Sequence, residues 1–167
     1  MEPVAKGTVY RYYSTKEELF FAAVDEGMQQ LRLAVDEATS TACTSIERIE
    51  LGIMAYLKYF DQHPDAIELI IQERASFCDR VKPTYFVHRD ANMEPWRQLF
   101  RDMISDRQVR DVPVDRIIEV ISDLLYGTIF TNHFSGRTKS LCAQCKNVSD
   151  IVFHGVLAAA EIRGNNA

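Results

Sequence analysis

Glycine and proline are scarce in this chain of 167 residues, with 7 and 5 copies, and no Asn-Gly pair or sustained apolar-polar alternation occurs. Hairpins and half-buried strands therefore have little to form from. No apolar run reaches the roughly eighteen residues of a spanning helix, and the start has no signal-peptide pattern, so a cytoplasmic protein without membrane contact is expected. Phosphate-binding glycine loops, HExxH pairs and Gly-x-Ser-x-Gly elbows are missing too, which leaves no motif for an enzyme. No cofactor is implied.

What remains is helical material. Apolar residues make up 47% of the chain, enough for a sizeable core, and the expected fold class is all-α. Thr15-x-x-Glu18 has the form of a capping box, so a helix is predicted to begin at Lys16. Leu19, Phe20, Ala23, Val24, Met28, Leu31 and Val35 then recur at steps of three and four, carrying it to about Ala38. Ile46, Ile49, Ile53, Tyr56, Leu57 and Phe60 keep the same spacing up to His63-Pro64. Further helices are predicted from Pro64 to about Phe77, from Pro83 to Ser105, from Val114 to Ser135 with Gly136 as the stop, and from Ser140 to about Arg163.

Charge is unevenly placed. Residues 1–16 hold Lys6, Arg11 and Lys16 against Glu2, a net of +2, so the chain's −5 leaves −7 on residues 17–167. A body this acidic does not hold nucleic acid by itself, and any DNA contact must come from the N-terminal segment. There, Lys6 and Thr8 stand at a helix start that favours a phosphate or base edge, Gly7 permits close approach, and Tyr10, Arg11 and Tyr12 supply phenolic and guanidinium donors.

The run Val4-Ala5-Lys6-Gly7-Thr8-Val9-Tyr10-Arg11-Tyr12-Tyr13, followed by Ser14-Thr15-Lys16-Glu17-Glu18-Leu19, resembles the recognition helix and the start of the fourth helix in the tetracycline-repressor (TetR) family of bacterial transcription regulators. Pro3 stands where that family usually has a turn glycine. The resemblance implies a helical bundle in which residues 1–22 are the remnant of a helix-turn-helix DNA-binding domain and residues 23–167 bind an effector and dimerise. It also implies operator DNA as a partner through Lys6, Gly7, Thr8, Tyr10, Arg11, Tyr12 and Lys16. The two helices that come before this motif in the family have no counterpart in the chain, so weak DNA binding is expected of the chain as it stands.

Two further patterns fit that scheme. In the 114–135 helix the broad apolar face of Ile117, Ile121, Leu124 and Thr128, and in the last helix the stripe of Val148, Ile151, Val152, Gly155, Val156 and Ala159, each need two packing partners. A two-fold homodimer through this hairpin supplies them. In the middle of the chain Tyr56, Phe60, Trp96, Phe100, Tyr126 and Phe130 are the material for an apolar pocket, and the resemblance implies an unknown small-molecule effector there. The alternative reading is a helical dimer that binds a small molecule or protein partner without DNA.

Cys142-x-x-Cys145 with His133 and His154 lacks the spacing of a structural zinc site, so no metal is expected and the thiols are read as free. Asp61, Asp65, Glu68 and Glu73, near the His63-Pro64 break, are expected to be solvated surface charges.

Overall fold

The computed structural model describes residues 11–136 and 140–156. Among them are seven helices and no strand: α1 (Lys16–Thr39), α2 (Ser45–Gln62), α3 (Pro64–Ser76), α4 (Thr84–Ala91), α5 (Glu94–Ser105), α6 (Val114–Ser135) and α7 (Leu141–His154). Among the described residues no helix is long and apolar enough to cross a membrane.

Local chemistry sets most boundaries. Thr15 caps α1, its hydroxyl oxygen accepting from the Glu18 amide at 3.0 Å. The Glu18 carboxylate reaches back to the Ser14 amide at 2.7 Å, one residue beyond the position a capping box would use. Thr44 and Glu47 repeat this arrangement at the start of α2, with bonds to the Glu47 and Cys43 amides. Pro64 opens α3, where its missing amide costs little. Gly136 ends α6 in the left-handed conformation, at φ 56°.

Two predicted helices are different in the structure. The single helix expected from Pro83 to Ser105 is two, α4 and α5, broken at Asn92 and Met93. In one continuous helix the Pro95 ring would strike the carbonyl of Ala91 and have no amide to donate to it. Instead Asn92 closes α4 through its backbone amide and its side-chain amide, both directed at the His88 carbonyl, and Pro95 sits in the first turn of α5. The last helix ends at His154 rather than near Arg163. Gly155 follows at φ 70°, its amide donating to the Ile151 carbonyl. Gly155 and Val156 are therefore not part of a helical stripe.

Helix α2 is the centre of the packing and touches α1, α3, α6 and α7. Its Ile49, Ile53, Leu57 and Phe60 are buried, and around them lie Met28 of α1, Ile70 of α3, Phe100 and Met103 of α5, Ile129 of α6 and Leu141 of α7. Each such side chain contributes about 1.5–3 kcal/mol by leaving water. The Tyr59 hydroxyl donates to the Gly27 carbonyl at 2.7 Å and ties α2 to α1.

The carboxylates near the helix break are mostly not free surface charges. Asp61 accepts from the Leu141 amide at 2.8 Å and so caps α7 across the fold. Glu68 takes the His133 ring at 2.7 Å, joining α3 to α6. Glu73 is buried outright; only Asp65 remains exposed without a fold-spanning contact. A hydrogen bond from Gln144 to Asn132 at 2.7 Å fixes α7 on α6.

Candidate ligand-binding cavity and dimer face

A cavity of about 280 Å³ lies among α1, α2, α4, α5 and α6. It is largely apolar: Met28, Leu31, Ile49, Ile53, Phe100, Ile118 and Leu125 line it together with Tyr56, Tyr85 and Trp96. Of the residues expected at a pocket, Tyr56, Trp96 and Phe100 line it. Phe60 is buried in the core instead, and Tyr126 and Phe130 stack on each other at 4.4 Å on another face of α6. The periodicity that selects them is the same, but α6 turns them away from the cavity and Ile121, Ser122 and Leu125 toward it.

Gly52 shapes one wall. A Cβ at this position would come within 2.5 Å of the Trp96 ring, so the outer edge of the indole occupies the space a side chain would need. Gly52→Ala gains about 0.8–1 kcal/mol of helix propensity but overpacks the site by about 1–3 kcal/mol. We expect a small net loss of stability and a clear change in Trp96 emission, read in a urea titration followed by fluorescence.

The cavity has a polar end. The Tyr56 and Tyr85 hydroxyls are 2.8 Å apart and hydrogen-bonded. Burial, with its partner phenol close by, pushes Tyr56 well above the ordinary tyrosine value, and burial pushes Tyr85 up to about 12. Both are neutral hydroxyls at physiological pH.

His88 of α4 also lines the cavity, and its Nε2 lies 2.6 Å from a carboxylate oxygen of Asp25 in α1. That bond holds the Asp25 carboxyl below its usual range. Asp25 thus favours the folded state above the carboxyl's unfolded pKa, a contribution lost only as pH falls through the lower folded value. The contact links the cavity wall to α1 throughout the neutral range. Sequence reasoning missed it because α4 was hidden inside a longer predicted helix.

On the outside of α6, Val120 is 62%, Leu124 36% and Phe134 70% exposed, and Ile151 of α7 is 46% exposed. Val120, Leu124, Gly127, Thr131 and Phe134 fall at steps of four and three along one face, and a Cβ at Gly127 would meet nothing. The other residues expected at a dimer interface are placed differently. Val148 is buried within the protomer, Ile117 and Val152 pack against its core, and Ile121 lines the cavity. Thr128 is half-buried and donates to the Leu124 carbonyl at 2.6 Å. Ala159 lies outside the described residues.

Of the residues expected from the sequence to contact DNA, Arg11, Tyr12 and Lys16 are exposed, and Arg11 and Tyr12 are helical. Lys6, Gly7, Thr8 and Tyr10 lie outside the described residues. The cysteine pair is split by burial: Cys142 is exposed, whereas Cys145 is buried and burial pushes its thiol up. His154 turns to Asp150 on its own helix. No group of three or more metal-ligating side chains occurs among the described residues.

No family model matches the sequence, and no curated protein matches it. Solved structures do. The TetR-family transcriptional regulator PfmR from Thermus thermophilus superposes at a TM-score of 0.73 with 16% identity, over 93% of this chain and 84% of that one. FadR from Bacillus subtilis, solved in complex with stearoyl-CoA, gives 0.72 with 18% identity over 92% and 83%. The fatty acid degradation regulator FadR from Bacillus halodurans gives 0.71 with 14% identity over 92% and 83%. The fold is TetR-like.

Proposed function

We propose that this protein is a ligand-responsive transcription regulator, acting as a repressor on operator DNA, whose effector occupies the cavity between α1, α2 and α4–α6. One observation carries the reading. The cavity borders α1, and α1 begins at Lys16, directly after the segment whose sequence resembles a DNA recognition helix. At 24 residues α1 is a strut of about 36 Å, and His88 joins it to the cavity wall. An effector that fits one position of α4 better than another moves α1, and with it the reader. Such coupling requires unequal affinity for the two states.

The exposed stripe of Val120, Leu124 and Phe134 with Ile151 supports a homodimer through α6 and α7, in the sense expected from the sequence but on a narrower set of residues. TetR-like neighbours of this fold include one solved with a long acyl-CoA, which supports an organic effector for this chain as well.

The test is fluorescence anisotropy of labelled DNA from upstream of the protein's own gene at fixed salt. A form carrying two helices before Val4 should bind tightly, with a steep dependence on salt. Arg11→Ala should cost about 1–3 kcal/mol and relax base discrimination, whereas Lys16→Ala should weaken all sequences alike. If the longer form does not bind, the helical dimer with a small-molecule or protein partner becomes the better reading.

A further inference from the structure

We infer that the cavity takes a compact amphiphilic organic anion: its charged group at the rim beside Arg48, its apolar body against Gly52 and Trp96, and a hydrogen-bond acceptor at the far end facing the Tyr56 and Tyr85 hydroxyls. This rests on the cavity being the effector site, as proposed above.

Helix geometry supplies the first argument. Residues 48, 52 and 56 are spaced by four and share one face of α2. All three line the cavity, so that face offers a guanidinium, a strip of bare backbone and a phenol in order. From Arg48 to Tyr56 is about 12 Å at helical rise. A cavity of about 280 Å³ falls just below the roughly 300–1,000 Å³ that hold drug-sized molecules, so the apolar body is short.

Hydrogen-bond accounting supplies the second. Each phenol has one donor hydrogen, and the single bond between Tyr56 and Tyr85 uses one of the two. Among the described residues the other hydrogen has no partner. Buried phenols that stay protonated present that hydrogen to an acceptor, such as a carbonyl, and not to another donor.

Charge supplies the third. On a protein of net charge −5, the lining nevertheless includes Arg32, Arg48 and Arg89 against the carboxylate of Asp36. Arg32 pairs with Asp36 at 3.4 Å and Arg89 with Asp90 at 2.9 Å. Arg48 has no ion-pair partner among the described residues and stands over the Trp96 ring at 5.9 Å. A ligand cation would meet it unfavourably, and a carboxylate would give it the partner it lacks.

The experiment uses four ten-carbon probes whose extended length suits the stripe: 1-decanol, decylammonium, decanoate and 9-oxodecanoate. Binding is read by quenching of Trp96, the chain's one tryptophan, and by the rise in melting temperature. Decanoate should bind at least about tenfold more tightly than 1-decanol, and decylammonium more weakly than either. Arg48→Gln, a change at an exposed side chain, should remove the advantage of decanoate and leave 1-decanol unaffected. 9-Oxodecanoate should bind more tightly than decanoate, a gain lost in the Tyr56→Phe/Tyr85→Phe double variant. If 1-decanol binds as well as decanoate, or Arg48→Gln keeps the preference, the ligand class is wrong and the cavity remains an effector site. If none of the four binds, both readings fall.

Discussion

Leu124→Glu should turn the protein into a folded monomer. On a two-fold axis the substitution enters twice, and each carboxylate would be taken from water into an apolar contact. Obligate interfaces commonly bury more than about 2,000 Å². A loss of about 4 kcal/mol corresponds to roughly a thousandfold in Kd, enough to carry a nanomolar dimer to micromolar. Within one protomer Leu124 is 36% exposed, so the helical circular dichroism should survive. Sedimentation velocity at micromolar concentration separates the cases. A dimer of unchanged strength would place the interface away from α6, and a wild-type monomer would remove it altogether. Ile117→Glu should behave differently, losing stability before association, because Ile117 packs against the protomer's own core.

That contrast shows where the sequence was legible. Helix ends announced by a cap or a stop residue, such as Thr15, Pro64 and Gly136, are local chemistry and fall within a residue of expectation. Apolar periodicity marks a face as apolar but does not say what covers it. The α6 pattern therefore mixed residues that look inward, Ile121 and Ile117, with Leu124, which looks out, and passed over Val120 and Phe134. Distinguishing them needs the rotation of α6 about its own axis, which the whole bundle sets.

The cavity was half legible for a related reason. Tyr56, Trp96 and Phe100 stand on helices that were correctly placed at those positions. Tyr85 and His88 were missed because Pro95 was not read as a breaker, and only a separate α4 can lean on α1 and bring them in. Glu73 was available to a stricter reading. Ala66, Ile67, Ile70 and Glu73 are the buried residues of α3, and a lone acid at helical spacing on an apolar stripe is a carboxylate in need of buried partners.

Arg80→Met should be among the most destabilising single changes outside the apolar core. Glu73 is 1% exposed. One of its oxygens accepts from the Arg80 guanidinium at 2.8 Å, the Thr84 amide at 2.9 Å and the Thr84 hydroxyl at 3.0 Å, while the other is buried with no partner among the described residues. The Arg80 side chain is 40% exposed, so water screens the pair itself and the attraction alone is worth little. The larger effect is on Glu73, which without Arg80 is a buried charge facing only Thr84. Breaking such a pair costs about 3–5 kcal/mol, and the two remaining Thr84 bonds place this case near the lower figure. For a chain of this size that corresponds to a fall of roughly 6–12 °C in Tm. The Arg80 guanidinium also covers the Phe21 ring at 4.4 Å, and Phe21 packs on Phe77 at 4.7 Å, so the first turns of α1 should exchange amide hydrogens faster. Adding Glu73→Gln to Arg80→Met should restore part of the loss, because a neutral amide oxygen still accepts from Thr84 and no buried charge remains. If Arg80→Met melts within about 0.5 kcal/mol of the wild type, or if Glu73→Gln gives no recovery, the buried carboxylate is not what Arg80 stabilises.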